Sequence, residues 1–264
     1  MMSEFYGLPS PQHFWHWPTL IHFALVALAG GAAVVTAVAH ITGHPKVRTY
    51  ALITMVLIVL DLFTLWIESP ARWRFTHVWI FLAFTPTAPI WLGAWGLTIS
   101  LVASFFVWLG KGPRLLWSAA LVVGSLLALV YPGLALAVNV NRPLWTPVLL
   151  VLFPLTGMLT VVAIAALFRQ AWAPRWLTVL SLASAVMGVV YLFALATGTA
   201  EARQAYAYLW SHGGPWFVVA LVLLAAVPAL VRRAPIAAAL VPIVGATLIR
   251  SLIVEIGQVQ RFGF

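Results

Sequence analysis

The chain contains no cysteine, which excludes disulfides, thiolate zinc sites and cysteine-ligated iron–sulfur clusters within it. Any cluster of that kind must be carried by another chain. Acidic residues are scarce as well: five Asp and Glu stand against 14 Lys and Arg. Charged side chains make up 7% of the sequence, where a soluble domain carries about 25%, so a water-facing surface could not be covered. Hydrophobic residues fill the space at 64%, and a multi-spanning, all-α membrane protein follows.

Stretches of about 20 apolar residues, enough to cross a ~30 Å hydrocarbon core, begin near Pro18, Thr49, Ala88, Leu115, Trp145, Trp176, Pro215 and Pro235. Eight transmembrane helices are expected in one integral membrane domain. Four basic pairs, Lys46/Arg48, Lys111/Arg114, Arg169/Arg175 and Arg232/Arg233, fall at every second gap. The other gaps and the ends hold Arg72, Arg74, Arg142, Arg203 and Arg261 mixed with glutamates. The positive-inside rule then puts both termini outside. The net charge of +9 does not indicate nucleic acid, because the basic residues sit as pairs in separate short loops and form no single patch.

The first 17 residues lack a basic leader and a small-residue cleavage site, so no removable signal peptide is expected. The one long connection, residues 69–89, lies outside; it carries Arg72, Trp73, Arg74 and His77 and an apolar run at 78–84 too short to span. That loop is either a docking surface for an outer partner or a plain interfacial re-entry. Trp17, Trp66, Trp73, Trp145 and Trp216 fall near outer boundaries, and Trp108, Trp117, Trp172 and Trp176 near inner ones, as aromatic belts do. Ala29, Ala33 and Ala37 give the first helix a small-residue face for close packing.

Chemistry must come from the few polar groups within the spans, since an ionisable side chain at mid-helix costs about 2.5–3.5 kcal/mol and persists only with a partner or a task. His22, Asp61, Glu68, Tyr131, Arg250 and Glu255 all fall toward the outer side. Asp61 and Arg250 share a depth on different helices, so a buried ion pair between them is expected. It would serve as a structural clamp or as a proton relay with Glu255 or Glu68 as the exit. Tyr131 precedes Pro132 and Gly133, so the Ala128 carbonyl loses its helical donor and a kink is expected beside the phenol. Such a place suits a polar-headed apolar ligand; a membrane-interface anchor is the plainer role for a lone tyrosine. Of seven histidines, only His22 and His40 fall in spans, at opposite ends of one helix. Bis-histidine haem, which needs two axial ligands at one depth, and a dinuclear metal site are therefore not supported.

Several strings in order carry a family likeness: Glu4-Phe5-Tyr6-Gly7-Leu8-Pro9, Phe14-Trp15-His16-Trp17 with His22 and Gly30-Gly31, Leu60-Asp61-Leu62-Phe63 leading to Glu68-Ser69-Pro70-Ala71-Arg72, and the run from Tyr131-Pro132-Gly133 through Asn139-Val140-Asn141-Arg142-Pro143-Leu144-Trp145. The chain closely resembles the membrane anchor subunit of polysulfide reductase, of the NrfD/PsrC type. The likeness covers roughly the first 155 residues motif by motif and the last three helices by length and topology. It implies two four-helix bundles, 18–142 with a quinone pocket and 143–264, in a bacterial inner membrane, with both termini periplasmic. It also implies a chain without haem, metal or cluster of its own. Such a subunit binds menaquinol or another quinol near the outer face and passes electrons to an iron–sulfur subunit, which feeds a molybdopterin catalytic subunit. The family's quinone contacts fall on His22, as first hydrogen-bond partner and proton acceptor, and on Tyr131 at the opposite side. Some members carry asparagine in place of Thr19, whose shorter hydroxyl departs from that pattern. Glu68 and the Arg72/Arg74 loop would shape the pocket mouth. The competing classes are a transporter, for which no paired broken helices or repeat symmetry speak, and a purely structural anchor.

Overall fold

The computed structural model describes residues 15–68, 85–139 and 141–259. Among them, eight helices are long and apolar enough to span a membrane: α1 (Trp17–Thr42), α2 (Val47–Glu68), α3 (Pro89–Leu109), α4 (Arg114–Ala137), α5 (Leu149–Leu167), α6 (Ala173–Thr197), α7 (Ala200–Arg233) and α8 (Pro235–Val259). No strand occurs among the described residues. The protein is a multi-pass, all-helical membrane protein.

Local chemistry sets the helix ends. Prolines occupy the first turn of α1, α3 and α6, where a missing N–H costs nothing. At the other end, α1 and α3 stop at Gly43 and Gly110, both in the left-handed conformation that lets the chain turn back on the last carbonyls.

Two expected boundaries move. The fifth helix begins at Leu149 instead of near Trp145, because Pro143 and Pro147 break the residues between into turns. The seventh begins at Ala200, 15 residues before Pro215: Thr199 caps it by accepting from the Ala202 N–H at 3.3 Å, and Glu201 favours its positive end. Pro215 is carried inside α7, as Pro132 is inside α4, which runs on to Ala137.

Successive helices are antiparallel. His22, early in α1, meets Asp61, late in α2, whereas His40 at the far end of α1 meets Ser118 at the start of α4. The four basic pairs therefore collect at one end of the molecule, and the start of α1 and the end of α8 lie at the other. In packing, α1 touches α2 and α4, α3 bridges α2 and α4, and α5, α6, α7 and α8 close a second ring; α1 also lies against α5 and α8. Ala29, Ala33 and Ala37 are all buried, so the small-residue face of α1 is used as expected. Sparse hydrogen bonds cross these apolar contacts: Thr36 to Thr54 at 2.9 Å, and the Tyr191 hydroxyl to the Leu144 carbonyl at 2.8 Å.

Trp145 is not a belt residue. It is 3% exposed, stacks on Trp15, lies under the Arg142 guanidinium and donates to the Ile253 carbonyl at 3.1 Å. Those contacts tie the α4–α5 connection to α8, a tertiary role that boundary position alone does not reveal. Trp17 and Trp216, both exposed, fit the belt. Arg72, Trp73, Arg74, His77 and the 78–84 run lie outside the described residues, as do Arg261 and the N-terminal string at 4–9.

Candidate functional site

At the end of the molecule where α1 begins, α1, α2 and α4 bring three polar side chains together. His22 Nδ1 and Asp61 Oδ1 are 2.6 Å apart, and the two side chains are 2% and 0% exposed. The Tyr131 ring lies 5.7 Å from the His22 ring, tilted by 40°. Room for the phenol is made by Gly93 on α3, where a Cβ would come within 2.6 Å of the tyrosine ring. Any larger residue at position 93 would push Tyr131 out of place.

The expected Asp61–Arg250 ion pair does not form. Asp61 is paired with histidine, and Arg250 is held by uncharged acceptors: Nε donates to Thr156 Oγ1 at 2.9 Å, Nη1 to the Phe23 carbonyl at 3.1 Å and Nη2 to the Phe153 carbonyl at 2.5 Å. Its guanidinium also sits 5.3 Å from the Phe153 ring. Similar depth was correctly read, but depth does not fix rotation about the helix axis, and α8 aims Arg250 at α5 while α2 aims Asp61 at α1.

Electrostatics define what the pair can do. An ionised Asp61 accepts from Nδ1–H, which fixes the tautomer and leaves the Nε2 lone pair as a proton acceptor. Nε2 of His22 and Oδ2 of Asp61 have no hydrogen-bond partner among the described residues. Buried polar atoms are usually paired, so these two are free for a hydroxyl-bearing ligand. The protonated pair would be an imidazolium held against a carboxylate, which lowers the cost of a positive charge inside the membrane.

The other expected residues lie around this cluster. Thr19 is buried one turn outward of His22 on α1. Glu68, at the end of α2, accepts from the His16 backbone N–H at 2.9 Å and lies 3.3 Å from its Nδ1. Glu255 belongs to a separate group at the end of α8, where Gln258 Nε2 donates to it at 3.2 Å and Gln258 Oε1 accepts from the Trp15 N–H at 2.7 Å. Sequence reasoning missed Gly93 and the partnership of Asp61 with His22. The signal for the second was present, since each residue sits within a few turns of the outer end of neighbouring helices.

Two cavities of about 470 Å³ lie elsewhere, one at the outer face between Arg142, Trp145 and Glu201, the other beside Arg232 and Arg233. Neither touches His22 or Tyr131, and the buried polar chemistry outweighs cavity size in locating the site.

Among known proteins, the profile of the family described as polysulfide reductase matches residues 2–264, and the chain belongs to that family. No curated protein matches it.

Proposed function

Starting from that membership, we propose that the chain is the anchor and quinol-oxidising subunit of a molybdopterin oxidoreductase complex of the polysulfide reductase kind. The single observation that carries the reading is the buried His22–Asp61 pair with Nε2 unpartnered beside the Tyr131 phenol. A menaquinol hydroxyl would donate to Nε2, and Tyr131 would hold the other side of the ring. As the ring is oxidised, its two electrons would leave one at a time to iron–sulfur clusters supplied by a partner, while the proton of the hydroxyl facing His22 passes to that residue and Asp61 stabilises the imidazolium by a general-base arrangement. The two protons leave on the outer, periplasmic side of the bacterial inner membrane.

The two rings of helices correspond in this reading to two four-helix bundles, the first holding the quinol and the second bracing it through α5 and α8. The iron–sulfur and molybdopterin subunits would dock on the outer face. Because His22 and Tyr131 are nearly enclosed, the quinol headgroup enters as neighbouring side chains part, an order of events common at binding sites that close around their ligand.

The test is quinol:acceptor oxidoreductase activity of the purified complex with His22→Ala and Tyr131→Phe chains, each checked for assembly. Loss of turnover in assembled complexes is the expected result. Full turnover in both would instead favour a purely structural anchor.

A further inference from the structure

Polar side chains recur along the seam between α1 and α2. His16 is the cap residue before α1, and Thr19 and His22 stand three residues apart within that helix; on α2, Asp61, Thr64 and Glu68 stand three and four apart. Those spacings put each set on one face of its helix. The two faces meet at both ends, His22 on Asp61 at 2.6 Å and His16 on Glu68 at 2.9 and 3.3 Å. Thr19 and Thr64 lie between, both buried, with Thr64 Oγ1 donating to the Asp61 carbonyl at 2.7 Å. Exposure rises steadily outward, from 0% at Asp61 to 14% at Glu68 and 71% at His16. Each carboxylate keeps one oxygen without a partner among the described residues, Oδ2 of Asp61 and Oε2 of Glu68.

We propose that this seam is the proton exit of the quinol site, with Glu68 and His16 receiving the protons that leave the His22–Asp61 pair. The inference rests on the quinol reading above. Each quinol oxidised releases two electrons to the partner's cluster and two protons. The proton of the hydroxyl that faces His22 moves to Nε2, and the imidazolium gives up its Nδ1 proton to Asp61; the proton of the hydroxyl across the ring leaves from the Tyr131 side. Asp61 then passes its proton outward to Glu68, His16 and the outer water, and the imidazole, left with its proton on Nε2, returns to the Nδ1–H tautomer before the next quinol. Asp61 and Glu68 are about 10 Å apart along α2, a span that two threonine hydroxyls and bridging water can cover, because a hydroxyl both donates and accepts. Glu255 is the less suitable exit, being bonded within the α8 end and off this seam.

A plain alternative exists: Glu68 accepts from the N–H at the start of α1, so it could serve only to tie that positive helix end to α2. Activity of the assembled complex with Glu68→Gln, Glu68→Asp, Thr64→Val and His22→Gln separates the two. A proton exit predicts that Glu68→Gln and Thr64→Val lower kcat about tenfold with unchanged quinol KM, that Glu68→Asp keeps most of the rate, and that imidazole added outside restores the Glu68→Gln rate. Wild-type kcat in Glu68→Gln and Thr64→Val, or a loss that imidazole does not restore, overturns the exit. Thr64→Val keeps the shape of the side chain and decides the matter even where Glu68→Gln does not assemble. If His22→Gln also turns over normally, the quinol reading itself fails; if it alone is inactive, only the exit does.

Discussion

Asp61 and Arg250 are both ionisable, both enclosed by apolar helices and at similar depth, yet the protein treats them in opposite ways. Every side-chain nitrogen of Arg250 has a partner: the three donate to two carbonyls and a hydroxyl, and an aromatic ring faces the guanidinium. Among the described residues Asp61 has a single side-chain partner, and both that partner and Asp61 itself keep an unpartnered polar atom. A group with every nitrogen engaged holds helices in place. A titratable pair left incomplete in a low-dielectric setting is stabilised only when something binds or a proton moves, which is how reactive sites differ from structural ones.

The largest effect that would sharpen this contrast is expected at the incomplete pair. His22→Gln and Asp61→Asn should each lower quinol turnover by about 100-fold or more in assembled complexes, measured as steady-state quinol:acceptor activity. Turnover of Asp61→Asn near wild type would make Asp61 a packing residue. Next comes Tyr131→Phe, which keeps the ring against Gly93 and removes only the hydroxyl; a loss of about tenfold in kcat/KM, one hydrogen bond's worth, is expected.

Arg250→Met tests the other side of the comparison. It should leave activity per assembled complex within about twofold and lower stability by about 1–3 kcal/mol, read from thermal unfolding in detergent. The loss is bounded because no carboxylate is left stranded and both carbonyls remain in their helices. A complete loss of turnover with normal stability would move Arg250 into the reaction. The smallest effect belongs to Thr36→Val, which breaks one interhelical hydrogen bond with Thr54 far from both charges; about 0.6 kcal/mol of stability and no activity should be lost.

The contrast also marks what the sequence could and could not disclose. Hydropathy located every span, because about 20 apolar residues are needed to cross a bilayer whatever the tertiary fold. The alternation of basic pairs points to one sidedness by a different rule, the positive-inside bias. Depth along each helix was legible too, at 1.5 Å per residue, and it correctly gathered His22, Asp61 and Tyr131 near one end of the helices. Pairing was not legible. Which of two buried basic side chains faces Asp61 depends on how α2 and α8 are rotated about their axes, and apolar spans whose lipid and protein faces are alike in composition give little periodic signal for that rotation. The early start of α7 was obscured similarly: Pro215 suggested a beginning, while the capping Thr199 with Glu201 two residues later marked the real one.

The most direct measurement is single-turnover reduction of the partner's iron–sulfur clusters by added quinol, followed spectroscopically in complexes carrying wild-type, His22→Gln and Arg250→Met chains. The account predicts cluster reduction at comparable rates in wild type and Arg250→Met and none on that timescale in assembled His22→Gln. Cluster reduction at the wild-type rate in His22→Gln would contradict it.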